Sequence, residues 1–225
     1  MVYASTAMKN LIEPRSGSYQ GVTASRNRYG QYQRTRAIPV NPRTTAQGQV
    51  RARLAANAAA WRSLTQTQRE GWESLASQIS RSDALGQNYT LNGFGAYISV
   101  NNNNLAAGNV VVADPPAMVA PTGIVTATVT LTAAAFSVAY TATPLGTGAR
   151  LFSYASPQRS AGRAFESDLR LIAVSAAAAA SPANILSAYS ARLGTPVAGN
   201  RVFLSFAVYT SGFLSGPLKM SQVVA

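Results

Sequence analysis

Residues 200–210 read NRVFLSFAVYT, and apolar side chains recur there at every second position, at Val202, Leu204, Phe206 and Val208. Successive side chains on a β-strand point to opposite faces, so this period of two predicts a strand with one buried face. Residues 136–140 repeat the pattern. The C-terminal region is therefore expected to be built of strands around an apolar core.

Further candidate strands surround these two, separated by Gly, Pro and Ser turns. The complete set is 124–132, 135–142, 149–155, 165–175, 184–192, 200–210 and 217–224. About seven short strands in about 100 residues are typical of an immunoglobulin-like or fibronectin-like antiparallel sandwich. The chain has no cysteine, so this sandwich must be held by packing alone. Residues 109–123 contain three prolines and are predicted to be a stiff linker before it.

Helical spacing replaces strand spacing over residues 44–108. Thr44 or Thr45 is expected to cap a first helix, and Thr67, three residues before Glu70, has the spacing of a capping box for a second. We expect the two helices to form a hairpin with both tryptophans packed between them. Its predicted core residues are Val50, Leu54, Trp61, Leu64, Trp72, Leu75 and Ile79.

A third helix is predicted from the spacing of Phe94, Tyr97, Ile98 and Leu105, after a short strand at residues 89–91. Four asparagines follow one another from Asn101 to Asn104. Asparagine is unfavourable inside helices because its side chain competes for backbone hydrogen bonds. We therefore expect this run to end the helix or to flank the next boundary.

Positive charge is concentrated at the front of the chain. Residues 1–82 hold twelve basic and three acidic side chains, whereas residues 83–225 hold seven and four. From Arg15 to Arg69 there are ten arginines and no acid. Prolines and glycines oppose a helix over residues 1–43, so this segment is predicted to be an extended basic arm.

The sharpest local feature of the arm is SRNRYGQYQRTR, residues 25–36. Its candidate partner-contacting residues are Arg26, Arg28, Tyr29, Tyr32, Arg34 and Arg36. In one continuous strand, the four arginines and Tyr32 would share a face. Three interpretations stay open: arginines on phosphates with tyrosines stacked on bases, an arm that adds as a strand to an acidic partner subunit, or a basic edge hairpin with Gly30 in its turn.

Composition argues against an enzyme. Without histidine or cysteine there is no histidine base, no thiolate nucleophile and no His or Cys metal site. Glu70 and Glu73 are interpreted as charges in the first turn of a helix. Glu166 and Asp168 would share one face of a strand, either as a solvated edge or as a hard-cation site. We predict no catalytic, cofactor or metal site, and no run of 18 apolar residues indicates a membrane span.

The segments SRNRYGQYQRTRAIPVNPRTTAQGQVRARL, LTQTQREGW and SLASQ resemble a group of proteins encoded by tailed phages and by prophage-like regions of bacterial genomes. The resemblance covers about residues 17–108, and the sandwich only in outline, since some members end in an immunoglobulin-like domain. It implies a virion or assembly role. It transfers no site residues.

Together these patterns predict an α+β protein with an extended arm (1–43), a helical region (44–108), a linker (109–123) and an immunoglobulin-like sandwich (124–225). The expected function is a non-enzymatic virion protein of a tailed phage, made in the host cytoplasm and associated with the head as decoration, cement or head-to-tail connector. Its partners would be capsid, portal or neck subunits, in a symmetric homo-oligomer or lattice. The alternatives are an adhesion module on the tail or surface and a nucleic-acid-binding protein.

Overall fold

The computed structural model describes residues 16–27, 30–38, 40–41, 43–82, 86–141 and 143–225. The chain divides into two compact units, Met1–Gly48 and Gln49–Ala225. Helices and antiparallel sheets are both present, so the α+β fold class is confirmed. The helical region from Gln49 onward and the strands after residue 124 belong to the same unit. Within the described ranges, no helix is long and apolar enough to cross a membrane.

The N-terminal unit contains a three-stranded antiparallel sheet where the sequence predicted an extended arm. β1 (Gly17–Tyr19), β2 (Val22–Asn27) and β3 (Gly30–Thr35) lie side by side in chain order. Gly30 opens β3 with a φ of +118°, a backbone conformation that side chains larger than glycine rarely adopt. None of the described residues of this unit is buried.

Three helices and a small hairpin follow. They are α1 (Thr45–Ser63), α2 (Gln66–Gln78), β4 (Ser80–Ser82), β5 (Asn88–Thr90) and α3 (Gly93–Ala106). Thr44 caps α1 as predicted, because its hydroxyl and the Gln47 side chain exchange hydrogen bonds with each other's backbone N–H. The capping box predicted at Thr67 lies two residues earlier, at Thr65 and Gln68. The same Thr-x-x-Gln/Glu spacing occurs at both places, so spacing alone did not distinguish them.

Tyr97 of α3 is the centre of the helical core. Its ring lies 5.2 Å from that of Trp72 and 5.4 Å from that of Trp61. Both tryptophans therefore pack against α3, a third helix that the predicted hairpin core did not include. Side chains of all three helices form one apolar cluster. Trp72 and Leu75 are buried, whereas Trp61, Leu64 and Ile79 are half-buried at the edge of this core.

Val50 and Leu54 are not core residues. Their side chains are 64% and 47% exposed, and every residue from Gly48 to Ala56 is exposed. Among the residues of α1 whose burial is described, the first buried one is Asn57, and its side-chain amide donates to Asn102 Oδ1 of α3 at 3.2 Å. A helical period identifies an apolar face but not how far a neighbouring helix extends along it.

The asparagine run lies inside α3 and does not end it. Each of the four side chains bonds to a different part of the second unit. Asn101 bonds both backbone groups of Val112, Asn102 accepts from Asn57, Asn103 donates to Gly212 O, and Asn104 accepts from the Tyr209 hydroxyl. The low helix propensity of asparagine is offset because tertiary partners satisfy its polar groups.

Residues 109–123 contain no helix or strand, as expected for a linker. The segment is nevertheless bonded to the helices. Trp72 Nε1 donates to Ala113 O at 2.7 Å, and Gln68 donates to Asp114 Oδ1 at 2.9 Å. These bonds connect the helical region to the strands that follow.

Two antiparallel sheets enclose the larger core. Their strands, with one short helix, are β6 (Thr126–Leu131), β7 (Phe136–Thr141), β8 (Arg150–Ala155), β9 (Arg159–Ser160), β10 (Arg170–Val174), β11 (Ala183–Asn184), α4 (Leu186–Leu193), β12 (Asn200–Thr210), β13 (Phe213–Leu214) and β14 (Leu218–Val223). One sheet has the order β11–β7–β6, and the other has β10–β8–β12 with β9, β13 and β14 also paired to β12. Buried residues of both sheets form one apolar cluster around Phe136, Leu204 and Phe206.

Two strand predictions need correction. Residues 184–192 lie mostly in α4, where Leu186, Tyr189 and Leu193 face the core at helical spacing. The Tyr189 ring packs edge-on against Phe136 at 5.2 Å, which fixes this helix over the smaller sheet. The strand predicted at 165–175 begins only at Arg170, because the preceding residues form a loop around Glu166.

Candidate partner-binding surface

The basic hairpin of the N-terminal unit presents two different faces. The register pairs Arg26 with Gln31, Ser25 with Tyr32, and Thr23 with Arg34. Directly paired residues share a face and neighbours along a strand alternate. Arg26 therefore lies on one face, while Tyr32 and Arg34 lie on the other.

The prediction of a single arginine face is therefore wrong. The chain reverses between β2 and β3, and this reversal changes which residues share a face. Of the three interpretations of residues 25–36, the basic edge hairpin agrees with the antiparallel register of these two strands. Arg28 and Tyr29 lie outside the described residues. Arg36 follows β3, and its backbone N–H donates to Gly21 O at 2.8 Å. Tyr32 and Arg34 are thus the described part of the predicted site that the fold brings together.

β3 lies at the edge of this sheet. Hydrogen-bonded pairs alternate along an antiparallel ladder, and Arg36 with Gly21 is one such pair. Arg34 and Tyr32, at even steps from Arg36, therefore direct their backbone groups toward β2. Gln33 and Thr35 direct theirs outward, so β3 offers a backbone edge to which a further strand could add.

A second group of charges surrounds Glu166, beside the larger sheet. Its carboxylate is buried, accepts from Arg159 Nε, and lies 3.4 Å from Arg163 Nη2. Its other oxygen accepts the backbone N–H groups of Ser167 and Asp168 at 2.9 and 3.0 Å. Hydrogen bonding from the Asp168 backbone, with Arg159, lowers the pKa of Glu166.

This geometry corrects both interpretations of the Glu166 and Asp168 pair. The two residues lie in a loop, not on a strand face. Asp168 forms a two-pronged bond with Arg170, at 2.8 and 3.1 Å, which lowers the pKa of that carboxyl. Among the described residues there is no group of three or more acidic side chains placed to hold a metal ion. The two carboxylates hold the loop in place through these hydrogen bonds and ion pairs. Three arginines within seven residues of Glu166 in the sequence could have indicated this ion-pair cluster.

We expect Glu166→Gln to weaken the acid sensitivity of folding. A carboxyl whose pKa is lower in the folded state stabilises that state above its unfolded pKa, and this contribution is lost as the pH falls through the folded value. The melting temperature of the variant should be lower than wild type at pH 7 but should fall less between pH 7 and about pH 3. The exposed Glu70→Gln is the matched control and should follow wild type. If the melting temperatures of Glu166→Gln and wild type fell by the same amount over this pH range, the ionised Glu166 carboxylate would not be the source of the acid sensitivity.

An open cavity of about 400 Å³ lies beside the same loop. Phe165 lines it and is 72% exposed, and Phe203, Lys219 and Met220 are also among the lining residues. Glu166, Ser167 and Ser221 also line this cavity, but the Glu166 carboxylate is already bonded to Arg159 and to two backbone N–H groups. We therefore assign no ligand to it.

Comparison with protein families, with curated proteins and with solved structures finds no match to this chain.

Proposed function

We propose that this chain is a non-enzymatic structural or assembly protein of a tailed-phage particle. It would be associated with the head, as decoration, cement or head-to-tail connector, and held to capsid, portal or neck subunits by its basic N-terminal sheet. The observation that carries the proposal is the absence of any buried residue among the described part of that sheet. The phage context comes from the sequence resemblance over residues 17–108.

A three-stranded sheet needs an apolar face packed on something to be stable. Here one face carries Tyr19, Val22 and Ala24, which are exposed or half-buried, together with Arg26, Gln31, Gln33 and Thr35. The other face carries mainly polar groups with Tyr32 and Arg34. Neither face supplies the apolar area that would offset the entropy of ordering the strands. Contact with a neighbouring subunit would supply it, through added backbone hydrogen bonds at β3 and through arginine bonds to acidic groups.

The C-terminal sheets are proposed to be an immunoglobulin-like or fibronectin-like sandwich. Numbering the main strands in chain order, the first, second and fifth (β6, β7, β11) share one sheet. The third, fourth, sixth and seventh (β8, β10, β12, β14) share the other. An immunoglobulin constant-type domain has the same division except for its fourth strand, which lies in the opposite sheet. In a particle, such a domain would form lattice contacts or face solvent.

Incorporation into particles tests the proposal. We expect the chain to co-purify at fixed stoichiometry with particles of the phage or prophage that encodes it. Gln33→Pro, which removes an outward N–H from β3, and Arg34→Glu should each lower its amount per particle at least about tenfold, as judged by quantitative mass spectrometry. Lys219→Glu changes an exposed charge in the other unit and should incorporate normally. Particles of full composition that lack the chain would refute the proposal, and normal incorporation of both variants would refute this mode of attachment.

Nucleic-acid binding is the second candidate, because Tyr32 and Arg34 share one face and suit stacking and phosphate contact. Arg26 lies on the opposite face, which reduces the continuous basic surface that one strand of nucleic acid could follow. Filter binding of a single-stranded oligonucleotide at two salt concentrations distinguishes the candidates. Tight binding that falls steeply with salt and is lost in Tyr32→Ala would favour nucleic acid.

A further inference from the structure

An apolar stripe runs along α1. The C-terminal part of this stripe is packed against the protein, and its N-terminal part is exposed. Val50, Leu54, Asn57, Trp61 and Leu64 follow one another at intervals of four, three, four and three residues. This is the spacing of the a and d positions of a coiled coil. The second half of the stripe contacts the protein itself, since Asn57 bonds to Asn102 and Trp61 packs on Phe94 and Tyr97.

Among the described residues, none is found packed on the first half of the stripe in this way. Val50 and Leu54 are 64% and 47% exposed, although they occupy the same face as the packed Trp61. We call the segment from Gln49 to Ala56 the α1 ridge. Large apolar side chains at consecutive a and d positions are the knobs with which one helix packs against another.

The positive charge of α1 indicates which kind of partner helix can bind to the α1 ridge. In the heptad that places Val50 at d and Leu54 at a, Arg51 and Arg53 fall at e and g, on the two flanks of the stripe. These are the positions whose charges select a partner helix. From Thr45 to Ser63, α1 contains three arginines and no acidic residue. A second copy of this helix would bring only like charge, whereas a helix with glutamates at its facing positions would pair with Arg53.

We propose that the α1 ridge is a docking site for an acidic amphipathic helix of a partner protein. The partner helix would place apolar side chains over Val50 and Leu54 and carboxylates beside Arg53. The ridge belongs to the second unit and uses none of the residues of the basic sheet. This inference therefore goes beyond the proposed function and does not depend on it.

A designed peptide of three heptads, about 21 residues, tests the ridge on the full chain. It carries leucine at a and d and glutamate at e and g, and a matched peptide carries lysine at e and g. At nanomolar concentration the fluorescein-labelled acidic peptide stays unpaired because its own charges repel. We expect fluorescence anisotropy to show micromolar binding of the acidic peptide that weakens with salt, and no binding of the lysine peptide.

Substitutions in and outside the α1 ridge show where the acidic peptide binds. Val50→Ala with Leu54→Ala removes the ridge side chains but raises helix propensity, and should weaken binding at least about tenfold. Arg53→Glu should weaken binding at low salt, whereas Gln49→Ala, off the stripe, and Lys219→Glu should not. Circular dichroism should show unchanged helix content in every variant.

Three results would overturn the inference. The first is no binding of the acidic peptide, or binding that the double alanine variant leaves unchanged. The second is a concentration-dependent dimer in sedimentation that the double variant abolishes, which would assign the ridge to a second copy. The third is displacement of the peptide by a single-stranded oligonucleotide that itself requires Val50 and Leu54. None of these results depends on whether the chain enters a particle, so the two proposals fail separately.

Discussion

Replacing Trp72 by alanine is expected to lower the free energy of unfolding by about 3–5 kcal/mol. The side chain is 0% exposed, and its ring meets Tyr97 edge-on at 5.2 Å. Removing it leaves a large cavity between α2 and α3, because the surrounding helices can close only part of the space. Its Nε1 also donates to Ala113 O, so the substitution leaves a linker carbonyl without that donor.

Urea unfolding monitored by circular dichroism at 222 nm measures this effect, and Trp72→Phe separates its two causes. Phenylalanine keeps most of the ring but cannot donate to Ala113 O, so it should cost about 1–2 kcal/mol from the lost hydrogen bond and a smaller packing defect. Trp61→Ala is the matched control, since Trp61 touches the same Tyr97 but is only half-buried. Equal costs for the two alanine variants would show that burial at Trp72 is not what holds the helical core together.

Strands with a clean period of two could be predicted from the sequence, and the residues between Val202 and Val208 are the clearest case. The alternating apolar face of β12 packs into the core shared by both sheets. Its other face, from Phe203 to Tyr209, is buried as well, so the prediction of a single buried face is wrong. The helix at 186–193 was missed although Leu186, Tyr189 and Leu193 have helical spacing. It has only eight residues, which is too short for periodicity to outweigh its position among predicted strands.

The candidate site was less predictable, because it depends on where the chain reverses. Residues 25–36 were assigned one face on the assumption of a continuous strand, but pairing of Asn27 with Gly30 makes a hairpin and moves Arg26 to the face opposite Arg34. The exposure of Val50 and Leu54 could not be predicted from the sequence either, because it depends on how far α3 extends along α1. The asparagine run shows the same limit, because its bonds lead to residues as distant in sequence as Gly212 and Tyr209.

Replacing Gly212 by alanine is expected to lower the free energy of unfolding by about 3 kcal/mol, which combines backbone strain and overpacking. The residue has a φ of +90° in the turn between β12 and β13. A β-carbon there would lie 2.5 Å from Val100 Cγ1, and Val100 is buried in α3. The Gly212 carbonyl meanwhile accepts from Asn103 Nδ2 at 2.8 Å. The turn therefore cannot simply move away from the helix without losing this bond.

Two comparisons assign the cost of Gly212→Ala to the helix contact. Gly199 has a similar φ of +84° but nothing within 4 Å of its would-be β-carbon, so Gly199→Ala measures strain alone, about 1 kcal/mol. Val100→Ala removes the clashing methyl group, and the double variant with Gly212→Ala should be more stable than the sum of the single effects by at least about 1 kcal/mol. Additive costs in thermal or urea unfolding would mean that α3 does not press on this turn. Positive coupling would instead show that close packing at Gly212 fixes α3 against the sheet that contains β12 and β13.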